Sequence, residues 1–241
     1  MMKLLKTSLL GLALVSTLSA NENLSTKQID EIQNLQLFKM AHVKVNKGVD
    51  VGSVYMLSVT VKGKGDQIYL TKDKKYLIPG DIINTKTGQP LILPVDLKPT
   101  LGKETFTYGT GKDEYVLFTD PECPYCKKFE SFLPQIKDKV KIRVFYFPLS
   151  FHKNAEDIAI YILSQKTNKA KVAAMETTKD TPAFKNRKYE KTELEKLEKQ
   201  LNEQIALGTS LGVSGTPTIF DKDGNKVQWP KMLQKYGVIL K

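Results

Sequence analysis

The segment EYVLFTDPECPYCKKF spans residues 114–129 and carries the clearest indication of a fold in this chain. Its first six residues are almost continuously apolar, which is typical of a strand buried on both faces of a sheet. Cys123 and Cys126 follow after a short turn, and Pro124 suits the first position of a helix, where no backbone N–H is needed. The segment therefore predicts a buried strand, a turn that carries the cysteines, and a helix that begins at them.

These are the only two cysteines in the 241-residue chain. A disulfide across two intervening residues closes almost no loop and contributes little stability. At a helix start, Cys123 faces unpaired backbone N–H groups and the positive end of the helix dipole, which favour its thiolate. Cys126 lies one turn further, where we expect it to be more buried and protonated. The spacing therefore predicts a redox-active Cys123–Cys126 disulfide, with Cys123 as the nucleophile and Cys126 as the resolving cysteine.

Half of a zinc site is the main alternative interpretation of a Cys-x-x-Cys sequence, and an inert structural bridge is the second. A zinc site needs two further ligands, and the two histidines, His42 and His152, have no paired spacing. We therefore predict no metal site and no organic cofactor. His42 is interpreted as a surface or half-buried residue. His152 follows the end of a predicted strand and could therefore lie near the site, although we favour its interpretation as an ordinary loop histidine.

The chain beyond the cysteines continues to alternate between strands and helices. Strands are predicted over 141–147 and 216–220, a mostly helical stretch over 154–190, and a capping box at 192–195 that begins a further helix. Pro134 is expected to kink the cysteine helix, because it has no N–H to donate.

A Cys-x-x-Cys at the strand-to-helix turn of such a unit is the thioredoxin-like signature. We therefore predict an α/β thioredoxin-like fold over residues 112–241. The helical stretch between its second and third strands is interpreted as an insertion over about 152–191.

The segment GVSGTPT, residues 212–218, is the second part of the predicted site. A proline that opens a strand is ordinary at a sheet edge. Here, a cis Pro217 would expose a backbone edge beside the Cys123 thiolate, with which a substrate chain could pair as a strand does. The candidate substrate-binding residues are Thr216, Pro217, Pro124 and Tyr125.

The N-terminal part of the chain differs in pattern. Residues 1–20 combine two lysines, a short apolar run and a small-residue end, and this combination predicts a secretory signal peptide. An amphipathic helix is predicted over 26–40, capped by Ser25 or Thr26, and strands over 54–61, 67–71 and 76–78. We therefore expect a small α+β domain over 21–86, a proline-rich linker over 87–111, and an exported, soluble protein with no membrane-spanning segment.

The charge balance is basic, with 37 Lys and Arg against 26 Asp and Glu and a net charge of +11. The basic residues are spread along the chain, and no zinc-finger spacing or aromatic-basic RNA motif accompanies them. We therefore expect no nucleic-acid partner.

Taken together, three motifs make the chain similar to the periplasmic DsbC/DsbG thiol:disulfide interchange family. They are FTDPECPYCKKF at 118–129, GVSGTPT at 212–218 and DKKYLIPGDI at 73–82. The resemblance implies a cystatin-like dimerisation domain, a linker helix and a thioredoxin-fold catalytic domain, with two chains forming a V-shaped homodimer. It also implies that Cys123 is the nucleophile, Cys126 the resolving cysteine and Pro217 the cis-proline.

Two features depart from the DsbC pattern. Pro124 and Tyr125 between the cysteines resemble the DsbG branch, which is associated with reducing oxidised or sulfenylated cysteines. A second cysteine pair, found in DsbC members, is absent from this sequence.

The resemblance implies a periplasmic oxidoreductase that isomerises or reduces disulfides, or reduces sulfenylated cysteines, in exported proteins. Its expected partners are unfolded or misoxidised exported proteins and a membrane thiol reductase of the DsbD type, which would keep the cysteines reduced. Two alternatives remain open: a DsbA-like dithiol oxidase that donates its disulfide, and a holdase chaperone that works without redox chemistry.

Overall fold

The computed structural model describes residues 22–86, 88 and 90–240. The predicted signal peptide, residues 1–20, lies outside the described residues. The chain divides into two compact units, with the boundary between Leu93 and Pro94. Among the residues that the structure describes, no helix combines the length and apolar character needed to cross a membrane.

The first unit is a five-stranded antiparallel sheet whose strands follow the chain order β1 to β5. The strands are β1 (Glu22–Asn23), β2 (Val43–Asp50), β3 (Val54–Val61), β4 (Lys64–Thr71) and β5 (Leu77–Ile78). Two helices, α1 (Thr26–Gln33) and α2 (Gln36–Met40), contact β2. Ile32 and Phe38 from these helices share one apolar core with Leu57 and Val59 of β3.

The helix predicted over 26–40 is two helices in the structure. Ser25, one of the two predicted caps, is the N-cap of α1 and forms a capping box. Its hydroxyl accepts from the N–H of Gln28, and the Gln28 side chain accepts from the N–H of Ser25. Asn34 ends α1, and its side-chain amide donates to the carbonyl of Asp30 at 2.8 Å. Such local side-chain bonds compete with the helical pattern and favour its end.

Strand β2 was not predicted from the sequence. Its register with β3 shifts between Val45 and Lys47, which indicates a bulge. A bulge interrupts the alternation of buried and exposed residues from which a strand is predicted. The alternation of apolar and polar residues that begins at Val43 therefore does not continue past the bulge, and the sequence shows no strand of eight residues here.

The second unit contains a mixed sheet in the order β10-β9-β7-β8-β6. Its strands are β6 (Phe106–Tyr108), β7 (Asp113–Thr119), β8 (Val140–Tyr146), β9 (Thr218–Asp221) and β10 (Lys226–Val227). Its helices are α3 (Pro124–Glu130), α4 (Ala155–Leu163), α5 (Asn168–Ala173), α6 (Pro182–Lys185), α7 (Lys191–Ser210) and α8 (Trp229–Lys235). Strands β7 and β8 are parallel, and the other neighbouring pairs are antiparallel.

Strand β7 is the central strand, and it is buried on both faces as the sequence predicts. On one face, Leu117 packs in the larger core with Phe129 of α3. On the other face, Val116 and Phe118 pack with Phe145 of β8. The turn with the cysteines therefore begins at the end of a strand that is buried in the middle of this unit.

The thioredoxin-like arrangement and its helical insertion are confirmed, with corrections at several boundaries. The insertion between β8 and α7 contains α4, α5, a 3-10 turn at Ala174–Glu176 and α6. The capping box predicted at 192–195 is wrong, because α7 begins at Lys191 with Glu190 as its N-cap and without a side-chain cap. Pro134 follows the end of α3 and lies in a separate 3-10 turn at Leu133–Ile136, so it does not kink a longer helix.

The linker predicted over 87–111 is shorter in the structure. Residues 94–111 belong to the second unit, where β6 pairs with β8 from Phe106 to Tyr108. A three-residue edge strand after a proline-rich stretch leaves too few residues to show a strand period. The described helical structure between 87 and 111 is a 3-10 turn at Lys98–Thr100, in place of the linker helix that the resemblance implies.

Candidate active site

Cys123 lies at the junction of the central strand and α3. It is the N-cap residue of α3, its backbone is extended, and Pro124 occupies the first turn. The first N–H groups of a helix have no partner within it, so this position favours a negative charge on a sulfur, although the Cys123 side chain makes no capping hydrogen bond. The Cys123 thiol is only 4% exposed, and its Sγ donates to the carbonyl oxygen of Thr216 at 3.4 Å.

Thr216 and Pro217, the predicted site residues of the segment 212–218, lie beside Cys123. The Thr216–Pro217 peptide bond is cis, as expected from the sequence, and β9 begins directly after it at Thr218. Because β9 pairs with β7, the chain before β9 lies beside the turn that follows β7. Thr216 and Pro217 are half-buried, whereas Pro124 and Tyr125 are exposed on the other side of Cys123.

Cys126 lies beneath Cys123 and has no exposed surface. Burial raises the pKa of the Cys126 thiol to about 12, while the hydroxyls of Thr119 and Thr216 and the backbone of Asp120 act to lower it. A thiolate at Cys123 would raise it further. Cys126 is therefore held as a neutral thiol at neutral pH, in agreement with the predicted asymmetry between the two cysteines.

The carboxylate of Asp120 organises the turn before the cysteines and was not singled out by the sequence analysis. This side chain is fully buried. Its Oδ1 accepts from the backbone N–H groups of Glu122 and Cys123, at 2.8 and 3.2 Å. Its Oδ2 accepts from the N–H of Leu149 at 2.7 Å and lies 2.8 Å from Nδ1 of His152. Asp120 therefore joins the nucleophile's backbone to the segment that follows β8.

A second carboxylate joins the same two segments. Glu122 accepts from the backbone N–H of Asn154 at 2.6 Å and from its side-chain amide at 2.7 Å. Asn154 is the N-cap of α4, so the start of the insertion is bonded to the cysteine turn. The interpretation of His152 as an ordinary loop histidine is corrected, because its ring contacts Asp120 beneath this turn. Its position just after a strand is the signal that indicated the alternative, a location near the site, and the structure agrees with that alternative.

A buried acid lies on the inner face of α3. Glu130 is only 5% exposed, and its Oε1 accepts from the hydroxyl of Thr119 at 2.7 Å. Its Oε2 lies 3.4 Å from Nζ of Lys127. Burial raises the pKa of Glu130, although Lys127 and Thr119 oppose the change. The sequence analysis missed Glu130, yet its spacing of four residues from Cys126 places both on one face of the helix.

The raised pKa of Glu130 predicts a pH-dependent stability difference between the wild type and Glu130→Gln. Between the pKa of a glutamate in the unfolded chain and the higher pKa in the folded protein, the folded state holds more protons. The free energy of unfolding of the wild type should therefore fall relative to that of the variant as pH rises above about 4. Urea unfolding at several pH values measures this difference, and an exposed control, Glu198→Gln, should show none. A wild type that gains stability over Glu130→Gln with rising pH would contradict the assignment.

Metal-ligating side chains do not gather at this site. Across residues 22–86, 88 and 90–240, no group of three or more His, Cys, Asp or Glu side chains is arranged to hold a metal ion.

Comparisons with known proteins agree with this geometry. Residues 107–232 match the family model described as a thioredoxin-like domain. The chain is 27% identical over 177 residues to the probable thiol:disulfide interchange protein DsbC of Bordetella avium, covering 67% of this chain and 57% of that protein. It is 28% identical over 192 residues to the DsbC of Salmonella typhimurium, covering 73% of this chain and 75% of that protein. The resemblance to DsbC that the motifs indicate is therefore confirmed.

Solved structures of similar proteins include a disulfide interchange protein from Neisseria gonorrhoeae, at 25% identity with a TM-score of 0.41. It aligns over 54% of this chain and 91% of its own. Pseudomonas aeruginosa DsbA2 is 20% identical with a TM-score of 0.41, over 57% of this chain and 87% of its own. Because residues 107–232 make up more than half of the 241 residues, the chain belongs to the thioredoxin-like domain family.

Proposed function

We propose that this protein is a thiol:disulfide oxidoreductase that isomerises or reduces disulfides in exported proteins. The observation that carries the proposal is the placement of Cys123 at the start of α3, with its sulfur against the Thr216 carbonyl and Cys126 buried beneath it. A thiol at a helix start suits the nucleophile that forms a mixed disulfide with a substrate. The buried neutral thiol next to it suits the resolving cysteine that breaks this mixed disulfide.

The reaction follows from this asymmetry. The Cys123 thiolate attacks one sulfur of a substrate disulfide, so a Cys123–substrate bond forms and the other substrate sulfur leaves as a thiolate. In isomerisation, that or another substrate thiolate then displaces Cys123. In reduction, Cys126 attacks Cys123, the two cysteines are oxidised to a disulfide, and the substrate leaves as a dithiol. No metal or organic cofactor takes part in either route.

The surface around Cys123 suits an extended substrate chain. The backbone at Thr216, before the cis Pro217, lies beside the sulfur and can pair with a substrate strand. Tyr125, two residues after Cys123, is 68% exposed and can cover an apolar substrate side chain. We assign Thr216, Pro217, Pro124 and Tyr125 to substrate binding on these grounds.

We further propose that the first unit is a cystatin-like dimerisation domain and that the protein acts in the periplasm. The leader-like residues 1–20 and the resemblance to DsbC support this location. A membrane thiol reductase of the DsbD type would return the cysteines to the dithiol state. Removing residues 21–86 should convert a dimer into a monomer in solution, and a dimer of unchanged size after the deletion would contradict this assignment.

Refolding of a scrambled multi-disulfide protein tests the proposed function. The wild type is expected to restore native pairing, while Cys126→Ala should accumulate a mixed disulfide between Cys123 and the substrate. If the wild type only introduces disulfides into a reduced substrate, the protein is a DsbA-like oxidase. If Cys123→Ala suppresses aggregation as well as the wild type and neither restores pairing, the protein is a holdase.

A further inference from the structure

We propose that the loop 149–154 forms a second wall of the substrate site, and that Phe151 on this loop binds an apolar side chain of the substrate. The inference rests on the proposed function and deepens it, because it states what a preferred substrate carries beside its disulfide. The role of Phe151 is to select the substrate, and the exchange chemistry stays with Cys123 and Cys126.

Two carboxylates of the cysteine turn hold the loop at its start and at its end. At the start, the backbone N–H of Leu149 donates to Asp120 at 2.7 Å. At the end, Asn154 donates to Glu122 through its backbone N–H at 2.6 Å and through its side-chain amide at 2.7 Å. Asp120 and Glu122 lie three residues and one residue before Cys123, so these bonds fix the loop relative to the nucleophile.

Phe151 lies between these two anchors and faces solvent. It is 72% exposed, and its ring contacts the His152 ring edge-on, with 4.5 Å between the ring centroids and 67° between the ring planes. The His152 ring in turn lies 2.8 Å from Asp120 through its Nδ1. One side of the Phe151 ring is therefore supported by a side chain bonded to the cysteine turn, and the rest of the ring is accessible to a substrate.

The loop 149–154 approaches the cysteine turn from the side opposite to Thr216. In the sheet, β8 and β9 lie on the two sides of β7. The chain after β8 continues beside β7, because the N–H of Phe147 donates to the carbonyl of Thr119 at 2.8 Å. The chain before β9 brings the Thr216 carbonyl to the Cys123 sulfur. A substrate strand that pairs at Thr216 therefore leaves the β8 side of the turn open for another part of the substrate.

A single exposed apolar side chain is ordinary on a protein surface, and Leu101 of the same unit is exposed to a similar degree, 65%. Phe151 differs because its loop is bonded to the turn that carries the nucleophile. The other apolar residue of this loop, Leu149, packs against the core that contains Phe118. Phe151 is therefore the apolar side chain that the loop presents to a partner.

Contact with Phe151 favours the first step of the reaction. An apolar side chain placed against the ring removes apolar surface of both partners from water. The contact holds the substrate disulfide near Cys123, whose thiolate forms a bond with one substrate sulfur while the other sulfur leaves as a thiolate. Unfolded chains expose apolar side chains that native proteins bury, so the contact selects misfolded substrates over native ones.

Two synthetic peptide disulfides test this contact. Each is a neutral Gly/Ser peptide joined to a second copy through its single cysteine. One carries Phe two residues before and two residues after the cysteine, and the other carries Ser at both places. The reduced protein is mixed with each peptide, the reaction is stopped with acid, and the released peptide thiol is measured by chromatography. The wild type should react about tenfold faster with the Phe peptide than with the Ser peptide, and this ratio should fall to about one in Phe151→Ser.

Two further variants and a small disulfide make the result specific. Phe151→Leu keeps an apolar side chain and should keep a ratio of at least about three, whereas Leu101→Ser should keep the wild-type ratio. Reaction with 2-hydroxyethyl disulfide, which has no peptide side chains, reports whether Cys123 is still reactive in each variant. A wild-type ratio of about one, or an undiminished ratio in a reactive Phe151→Ser protein, would overturn the proposal. A wild type that reacts with none of the three disulfides would instead contradict the proposed function.

Discussion

Cys123→Ser is expected to reduce the catalysed rate of disulfide reduction by at least about 1,000-fold, to the level of the uncatalysed reaction. The serine hydroxyl has nearly the same size, but it stays protonated at neutral pH and is a poor nucleophile toward sulfur. The helix N-terminus and the Thr216 carbonyl around Cys123 remain in place, so the loss isolates the chemistry of the thiol. Reduction of a two-chain, disulfide-linked protein by dithiothreitol, followed by turbidity, measures the effect.

Cys126→Ser is the matched control for this variant. It removes the resolving thiol and keeps the attacking one, so the Cys123 mixed disulfide should still form and should be detected by mass. If Cys123→Ser keeps more than about a tenth of the wild-type rate, Cys123 is not the nucleophile. If Cys126→Ser forms no mixed disulfide while the wild type is active, the assigned order of attack is wrong.

Gly109→Ala is expected to lower the free energy of unfolding of the second unit by about 3 kcal/mol. Gly109 has a φ of +81°, and a Cβ atom there would lie 2.2 Å from the Val140 carbonyl oxygen and 2.8 Å from that of Lys137. Both are backbone oxygens, one at the first residue of β8 and one three residues before it, so they cannot move away as the end of a side chain can. Trp229, the only tryptophan, packs on Phe129 and Phe132, and its fluorescence during urea unfolding reports on this unit.

Gly102→Ala separates the steric effect from the backbone effect. Gly102 has a similar φ of +72°, but nothing lies within 4 Å of a Cβ atom built there. Its replacement should cost only the left-handed backbone penalty, about 1 kcal/mol. Equal losses in the two variants would mean that the approach of Val140 to Gly109 does not contribute to stability.

The parts of the site that were predicted from sequence are those whose signals are local. Cys123 and Cys126 are separated by two residues in a strand-to-helix turn, and Pro217 directly precedes a short strand after a glycine-containing loop. Each of these positions is determined by a few neighbouring residues and a known backbone preference. The polar support of the site has no such local signal, because its contacts join residues far apart in the chain. His152, for example, is 32 residues from Asp120, and Glu130 is 11 residues from Thr119.

The fold shows the same division. Strand β7 was predicted because a strand buried on both faces is apolar at nearly every position. Strands β2 and β6 were not, since a bulge breaks the period of the first and the second has only three residues. Pairing with β8 makes Phe106–Tyr108 a strand, and this pairing also moves residues 94–111 from the predicted linker into the second unit.

The amino-acid sequence was sufficient to specify a dithiol at a helix start within a thioredoxin-like unit, because spacing, proline placement and apolar runs act over a few residues. The polar contacts and the burial around the dithiol depend on the tertiary structure. Pairing of β7 with β8 and β9 brings Asp120 to His152 and the Thr216 carbonyl to Cys123, and packing of α3 on β7 brings Glu130 to Thr119. Burial then separates the two thiols in function, since the loss of water around Cys126 depends on the elements that cover it and not on the residues beside it in the chain.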